Sequence, residues 1–157
     1  MRTVSITLVL VAALAAGCGH EIGDSCSLSS ECSPNGDRIC DQSSPGGYCT
    51  IYGCENDTCP DGSVCIRFFS GTETNLPCEV DGDCGADELC TLGGYCVPRL
   101  AEIRYCMKTC GDHGDCREDY ECRDEALMRE HGGEPIPEPG EPLGDDFQPF
   151  CAPAPME

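Results

Sequence analysis

Apolar positions fall into two regimes along this chain. Residues 4–16, behind Met1-Arg2-Thr3, are uncharged and mostly apolar. Beyond them, apolar residues come singly or in short clusters, separated by Gly, Asp, Asn, Ser and Pro. No helical period and no long alternation is sustained in that second region. Clusters rich in β-branched and aromatic residues predict short strands at 48–52, 64–69, 95–97 and 102–107. One segment, 118–131, contains Ala126-Leu127-Met128 and stops at Gly132-Gly133, which predicts a short helix. The text between these clusters is turn-forming. The expected fold is therefore loop-rich, with short β-hairpins and at most one short helix.

Cysteine supplies what the apolar pattern lacks. The 157 residues include 17 Cys, 5 Tyr, 4 Phe and no Trp. Such a chain cannot bury a large apolar core and needs covalent staples, so the fold class is small and disulfide-rich. The cysteines also repeat. Cys78, Cys84, Cys90 and Cys96 are evenly spaced, and Cys26, Cys32, Cys40 and Cys49 match them loosely. In both sets an acid precedes the second cysteine (Glu31, Asp83) and a Gly-Gly-Tyr triplet precedes the fourth. Cys54, Cys59 and Cys65 follow the first set, and Cys110, Cys116 and Cys122 follow the other. The chain thus reads as tandem Cys-rich repeats, residues 26–74 and 75–151, with Cys106 and Cys151 as extras in the second half. Each half holds an odd number of cysteines, so at least one bridge is expected to cross between them, with Cys78 as the candidate. Spacing leaves the pairing of these sixteen cysteines open.

The leading segment explains export. The apolar stretch is too short to span a bilayer and has the anatomy of a signal peptide over residues 1–17. Leu14-Ala15-Ala16-Gly17-Cys18 resembles a bacterial lipobox. That resemblance implies cleavage before Cys18, lipidation of its thiol with acyl chains such as palmitate, and, with Gly19 as the next residue, the outer membrane of a Gram-negative cell envelope. The alternative is ordinary cleavage behind Ala13-Leu14-Ala15. Parity favours the lipoprotein reading, because removing Cys18 leaves an even number of cysteines. Residues 18–25 then form a lipid-anchored, flexible tether, and 152–157 a tail. Residues 134–149 alternate Pro with acids, which predicts an extended, hydrated loop tied back by Cys151.

Charge narrows the partners. The formal net charge is −20, and residues 1–17 carry one Arg and no acid, so removing them leaves −21. Such a field opposes nucleic-acid phosphates and favours cations and basic proteins. Zinc and redox chemistry lack their Cys-x-x-Cys spacing, and an oxidising compartment favours disulfides, so no metal site is assigned. Calcium is a possible ligand for Asp81, Asp83, Asp87 and Glu88, and for Asp112 and Asp115, although their spacing is not that of an EF-hand. No catalytic constellation surrounds His20, His113 or His131, and no nucleophile elbow occurs, so no catalytic residue and no enzyme activity is expected. Asn56-Asp57-Thr58 matches a glycosylation sequon.

The run Cys78-Glu-Val-Asp-Gly-Asp-Cys84-Gly-Ala-Asp-Glu-Leu-Cys90 resembles the N-terminal cysteine-rich region of Dickkopf proteins, as does 26–40 more loosely. Similar stretches recur in Cys-rich lipoproteins of Gram-negative bacteria. The adjacent Cys-Cys pair of the Dickkopf module is absent here, and Dickkopf signalling is not carried over. The resemblance implies an extracellular, disulfide-rich interaction module. The expected function is a non-enzymatic, membrane-anchored surface interaction or structural module. The alternatives are a calcium- or cation-binding protein, or an inhibitor-like knot using 67–77 or 99–104 as its reactive loop.

Overall fold

The computed structural model describes residues 19–71, 74, 76–138 and 147–155. The signal segment, Cys18 and the middle of the Pro-rich stretch lie outside the described residues. The sixteen cysteines from Cys26 onward close eight disulfides, and the pairing repeats one rule four times. In each group of four, the first cysteine bonds the third and the second bonds the fourth. Unit one pairs Cys26–Cys40 and Cys32–Cys49. Unit two pairs Cys54–Cys65 and Cys59–Cys106. Unit three pairs Cys78–Cys90 and Cys84–Cys96, and unit four Cys110–Cys122 and Cys116–Cys151.

The same geometry underlies every unit. The third and fourth cysteines sit directly opposite each other on an antiparallel ladder. In unit one these strands are β1 (Ile39–Asp41) and β2 (Tyr48–Thr50), with Cys40 facing Cys49. In unit two they are β3 (Ser63–Phe69) and β6 (Glu102–Lys108), with Cys65 facing Cys106. Unit three uses β4 (Glu88–Cys90) and β5 (Cys96–Pro98), with Cys90 facing Cys96. Unit four uses β7 (Tyr120–Arg123) and β9 (Phe150–Pro153), with Cys122 facing Cys151. Opposed residues project to the same face of a ladder. Both sulfurs therefore leave one face, where the loop bearing the first two cysteines crosses.

That loop is held by the residue just before the second cysteine. Glu31 accepts backbone N–H groups from Ser27 (2.6 Å) and Leu28 (3.2 Å). Asp83 accepts from Glu79 (2.9 Å) and Val80 (3.1 Å), and Asp115 from Gly111 (2.7 Å) and Asp112 (3.2 Å). In unit two the hydroxyl of Thr58 does the same for Glu55 (2.8 Å). Each capping residue closes a single helical turn: α1 (Ser29–Cys32) in unit one, 3-10 turns at Asp81–Asp83 and His113–Asp115 in units three and four. The acid noted in the sequence is thus a backbone cap, of the kind that satisfies orphan donors at a helix start. The Gly-Gly-Tyr triplets also have a local cause. Gly47 (φ 69°) and Gly94 (φ 80°) adopt the left-handed conformation that glycine tolerates, and a Cβ on Gly47 would lie 2.0 Å from the Cys26 carbonyl oxygen.

Cys106 and Cys151 are therefore the fourth cysteines of units two and four, separated from their units by insertions. Unit three lies wholly between β3 and β6. The bridge that crosses the 74/75 boundary is Cys59–Cys106, with the seven-residue β3–β6 ladder beside it. Cys78, the sequence candidate for that role, pairs inside its own unit.

Units one, two and four share the main apolar cluster, which includes Ile22, Tyr48, Ile66, Met107, Tyr120, Met128 and Phe150. A third strand, β8 (Glu134–Pro135), pairs with β3 to give the sheet order β6-β3-β8. It carries Glu134 into a buried ion pair with Arg67 (2.7 Å), each side chain 5% exposed. Glu134 also accepts the Leu92 N–H, and Arg67 donates to the Cys90 carbonyl (3.2 Å), so the pair ties unit three to the central sheet.

Three expectations change. The helix is α2 (Glu125–His131), because residues 120–123 pair with β9 as a strand instead of starting it. The tether is not loose: Ile22 is buried, Gly23 N–H donates to the Cys49 carbonyl, and Cys49 N–H donates to Asp24 (both 2.9 Å). The acidic, Pro-rich stretch 134–149 opens on a buried strand and closes on Phe147, which packs on the core. The strands at 48–52, 64–69, 95–97 and 102–107 are present with ends shifted by one or two residues. No described helix is long and apolar enough to cross a membrane.

Candidate functional site

Of the carboxylates named for calcium, all but Asp87 are individually committed to the backbone. Asp83 and Asp115 cap their turns, Asp81 accepts from Cys90 N–H (2.8 Å), Glu88 from Gly85 N–H (2.9 Å), and Asp112 from Gly114 N–H (2.7 Å). Those backbone donors hold the carboxyls of Glu31, Asp83 and Asp115 below their ordinary values. Among the described residues, the only groups of three or more metal-ligating atoms are cysteine sulfurs already joined in disulfides. The acid-rich turns thus fit a structural role, and no carboxylate cage is formed there.

The histidines are similarly engaged. His20 Nδ1 lies 2.9 Å from the Ser25 carbonyl, His113 Nδ1 accepts from Cys122 N–H (3.0 Å), and His131 Nδ1 lies 2.7 Å from Glu121. Asn56 donates its side-chain amide to the Ile136 carbonyl (2.8 Å), so the sequon amide is a structural link. Of the two suggested inhibitor loops, 99–104 is taken up by regular structure, whereas 67–77 enters from a strand and its described residues beyond 69 are irregular, with 72, 73 and 75 outside the described residues. Residues 67–69 belong to β3, 102–104 belong to β6, and Arg99–Ala101 is a 3-10 turn. Leu100 at that turn is 98% exposed.

A pocket of about 170 Å³ opens elsewhere, where the hairpin of unit one rests on the β3–β6 ladder. Its walls are Tyr48, Thr50, Phe68, Tyr105, Met107 and Pro153, and its polar contributions are Asp41 and Ser44. Each wall has a structural origin. Phe68 faces Ile103, Ile66 faces Tyr105 and Val64 faces Met107 on the ladder, so Phe68, Tyr105 and Met107 lie at alternate positions of one sheet face. Asp41 and Tyr48 are directly opposed at the turn end of the β1–β2 ladder. Thr50 fastens the two units by donating its hydroxyl to the Cys106 carbonyl (2.8 Å).

Unit four sets the position of the hairpin tip. Arg117 donates to the carbonyls of Pro45 (2.9 Å) and Gly47, and stacks 4.2 Å from the Tyr120 ring centroid. Tyr120 donates its hydroxyl to Pro45 (3.0 Å), and its ring stacks on Tyr48 at 5.4 Å. Tyr48 accepts from Lys108 N–H (2.9 Å), and its burial pushes its phenol far up.

Asp41 accepts from Ser43 N–H (3.0 Å), Ser43 Oγ (2.6 Å) and Ser44 Oγ (2.8 Å). Among the described residues no cation lies within salt-bridge distance of it. Tyr105 has its phenol pushed up by burial, then by the nearby charge of Asp41 and by Tyr52. Tyr52 is 62% exposed and meets Tyr105 edge-on at 5.5 Å. Sequence reasoning placed strands here but named none of these residues as a site. They come from four separate stretches, and no local spacing marks them.

Comparison with protein-family models, with curated proteins and with solved structures finds no match to this chain.

Proposed function

We propose that this chain is a non-enzymatic, lipid-anchored module of the bacterial cell envelope, presenting rigid acidic surfaces to a partner outside the cytoplasm. The observation that carries the reading is the closure of the disulfide framework. All sixteen cysteines from Cys26 onward pair with one another, so the framework is complete without Cys18. That parity suits a Cys18 thiol used for acylation, and eight disulfides suit an oxidising compartment. Two acyl chains would hold the module stably, since each buried methylene contributes about 0.8 kcal/mol.

Residues 19–25 pack on unit one, so a lipid carried by Cys18 would join the chain with no free spacer before the body. Unit one would then be the membrane-proximal end of the module. Intact mass of detergent-extracted protein tests the reading. A chain beginning at Cys18 with acyl mass, and sixteen alkylations that appear only after reduction, is the expected result. An unmodified Cys18, or thiols free before reduction, would refute it.

A further inference from the structure

We propose that the pocket between the unit-one hairpin and the β3–β6 ladder takes the alkylammonium end of a lysine side chain presented by a basic partner protein. The proposal deepens the interaction-module reading by naming the chemistry of the contact, and it does not depend on the lipid anchor.

Size comes first. About 170 Å³ is below the range of drug-sized ligand sites and close to a cavity that holds one benzene ring. That volume suits a four-carbon stem and its ammonium, not a cofactor. The walls suit the same group. Phe68, Tyr48, Tyr105 and Met107 are apolar along a methylene stem. The faces of aromatic rings attract an ammonium.

Charge selects a cation. Asp41 has no ionic partner among the described residues, and the chain carries a net charge of −20 that draws basic partners toward it. Arg117, the cation on the adjoining turn, is already spent on Pro45, Gly47 and the rings of Tyr120 and Tyr48, which leaves Tyr105 and Phe68 as the aromatic walls for an incoming cation.

The remaining capacity of Asp41 selects lysine over arginine. A carboxylate offers about four acceptor positions. Three are used by Ser43 N–H, Ser43 Oγ and Ser44 Oγ, two of them on Oδ1. A guanidinium gains most from two parallel bonds to both oxygens, which Asp41 cannot offer. An ammonium is a point charge that needs one acceptor and can face aromatic rings with the rest.

The test uses the detergent-extracted mature protein with 13C-methyl methionine. Met107 lines the pocket while Met128 lies buried in the core, so Met107 reports binding and Met128 serves as the internal control. n-Butylammonium is the probe, with n-butanol as its neutral isostere and methylguanidinium as the arginine mimic. The expected result is a saturable shift of Met107 but not Met128 by n-butylammonium, with n-butanol at least about fivefold weaker. Asp41→Asn keeps an acceptor for Ser43 N–H and is expected to weaken n-butylammonium by about tenfold while leaving n-butanol unchanged. Tyr105→Leu is expected to weaken the probe too, with the Met128 signal reporting that the core is intact.

Equal binding of n-butanol and n-butylammonium would overturn the proposal, as would tighter binding of methylguanidinium or an unchanged affinity in Asp41→Asn. Absence of any Met107 shift would also overturn it. Loss of the acyl mass at Cys18 with the Met107 titration intact would strike the anchor alone. An acylated protein with no titration would strike the pocket alone.

Discussion

If unit three is an insertion at the tip of the β3–β6 hairpin, it can be cut out. The last pair of that ladder joins Phe69 to Glu102, and beyond it Ser70 N–H still donates to the Ala101 carbonyl at 2.9 Å. Ser70 and Ala101 are therefore placed to flank a two-residue turn. Replacing residues 71–100 by Asn-Gly supplies a turn whose twist matches such a hairpin. Both disulfides of unit three, Cys78–Cys90 and Cys84–Cys96, leave with the segment, and neither constrains the rest of the chain. Shortening the connection from thirty residues to two returns about 2 kcal/mol of loop-closure entropy. Against that, Glu134 loses the Leu92 N–H and Arg67 loses the Cys90 carbonyl, though water can then replace both at about 1 kcal/mol each. Leu92 no longer packs on the core cluster, a further ~1 kcal/mol. The net change is a loss of no more than about 2 kcal/mol. The assay is disulfide mapping by proteolysis and mass spectrometry, followed by a urea titration. Bridges 26–40, 32–49, 54–65, 59–106, 110–122 and 116–151 are expected to persist. Scrambled pairing, or a loss above about 5 kcal/mol, would refute the nested reading, because it would mean that unit three is part of the core.

Three further outcomes follow from named contacts. Glu31, Asp83 and Asp115 have carboxyls held below their ordinary values by backbone N–H groups, so they contribute stability above the unfolded-state value, and that stability is lost as pH falls through the folded-state value. The triple variant Glu31→Gln, Asp83→Asn, Asp115→Asn is therefore expected to show a shallower fall in Tm below pH 4 than the parent, and an equal slope would count against the capping account. Removing the buried cation alone, Arg67→Met, is expected to cost about 3–5 kcal/mol by urea titration, and the double variant with Glu134→Leu to regain at least half of that. Removing Cys59–Cys106, which spans 47 residues, is expected to cost about 4 kcal/mol, against about 3 kcal/mol for Cys78–Cys90, which spans 12. A reversed order in guanidinium titrations would show that chain entropy does not govern these bridges.

The repeated unit was legible because its marks are local. Even cysteine spacing, the acid before the second cysteine and the Gly-Gly-Tyr triplet all act within one turn or one hairpin. What escaped is non-local. Cys106 and Cys151 read as extras because insertions move them 41 and 29 positions away from Cys65 and Cys122, their opposed partners. Strands β1, β4, β7 and β9 carry three or four residues each and are defined by a facing cysteine, so no alternation announces them. Residues 120–123 have the charged, helix-tolerant text Tyr-Glu-Cys-Arg, and only pairing with β9 makes them a strand. Ile22 looked like an isolated apolar residue in a polar tether, and its burial depends on the core cluster that it shares with Tyr48. The buried Arg67–Glu134 pair joins residues 67 positions apart, which no spacing rule anticipates.

The architecture also explains where a binding surface can arise in a chain with so little core. Each unit keeps its first three cysteines within a short, nearly fixed span, since the bridges from first to third cysteine separate 14, 11, 12 and 12 residues. Variation is confined to the connection between third and fourth cysteines, whose second bridge separates 17, 47, 12 and 35 residues. That connection is a hairpin tip, the part of the unit furthest from the constraint of the paired bridges and the most tolerant of insertion. In unit one it holds Asp41 through Tyr48, in unit two all of unit three, and in unit four α2, β8 and the acidic Pro-rich stretch. A covalent frame repeated four times thus carries four different tips. The pocket forms where one tip, that of unit one, is pressed by Arg117 and Tyr120 of unit four onto the ladder of unit two. A site built in this way needs three units at once, so breaking Cys116–Cys151 should loosen Asp41 and the pocket even though neither cysteine touches it.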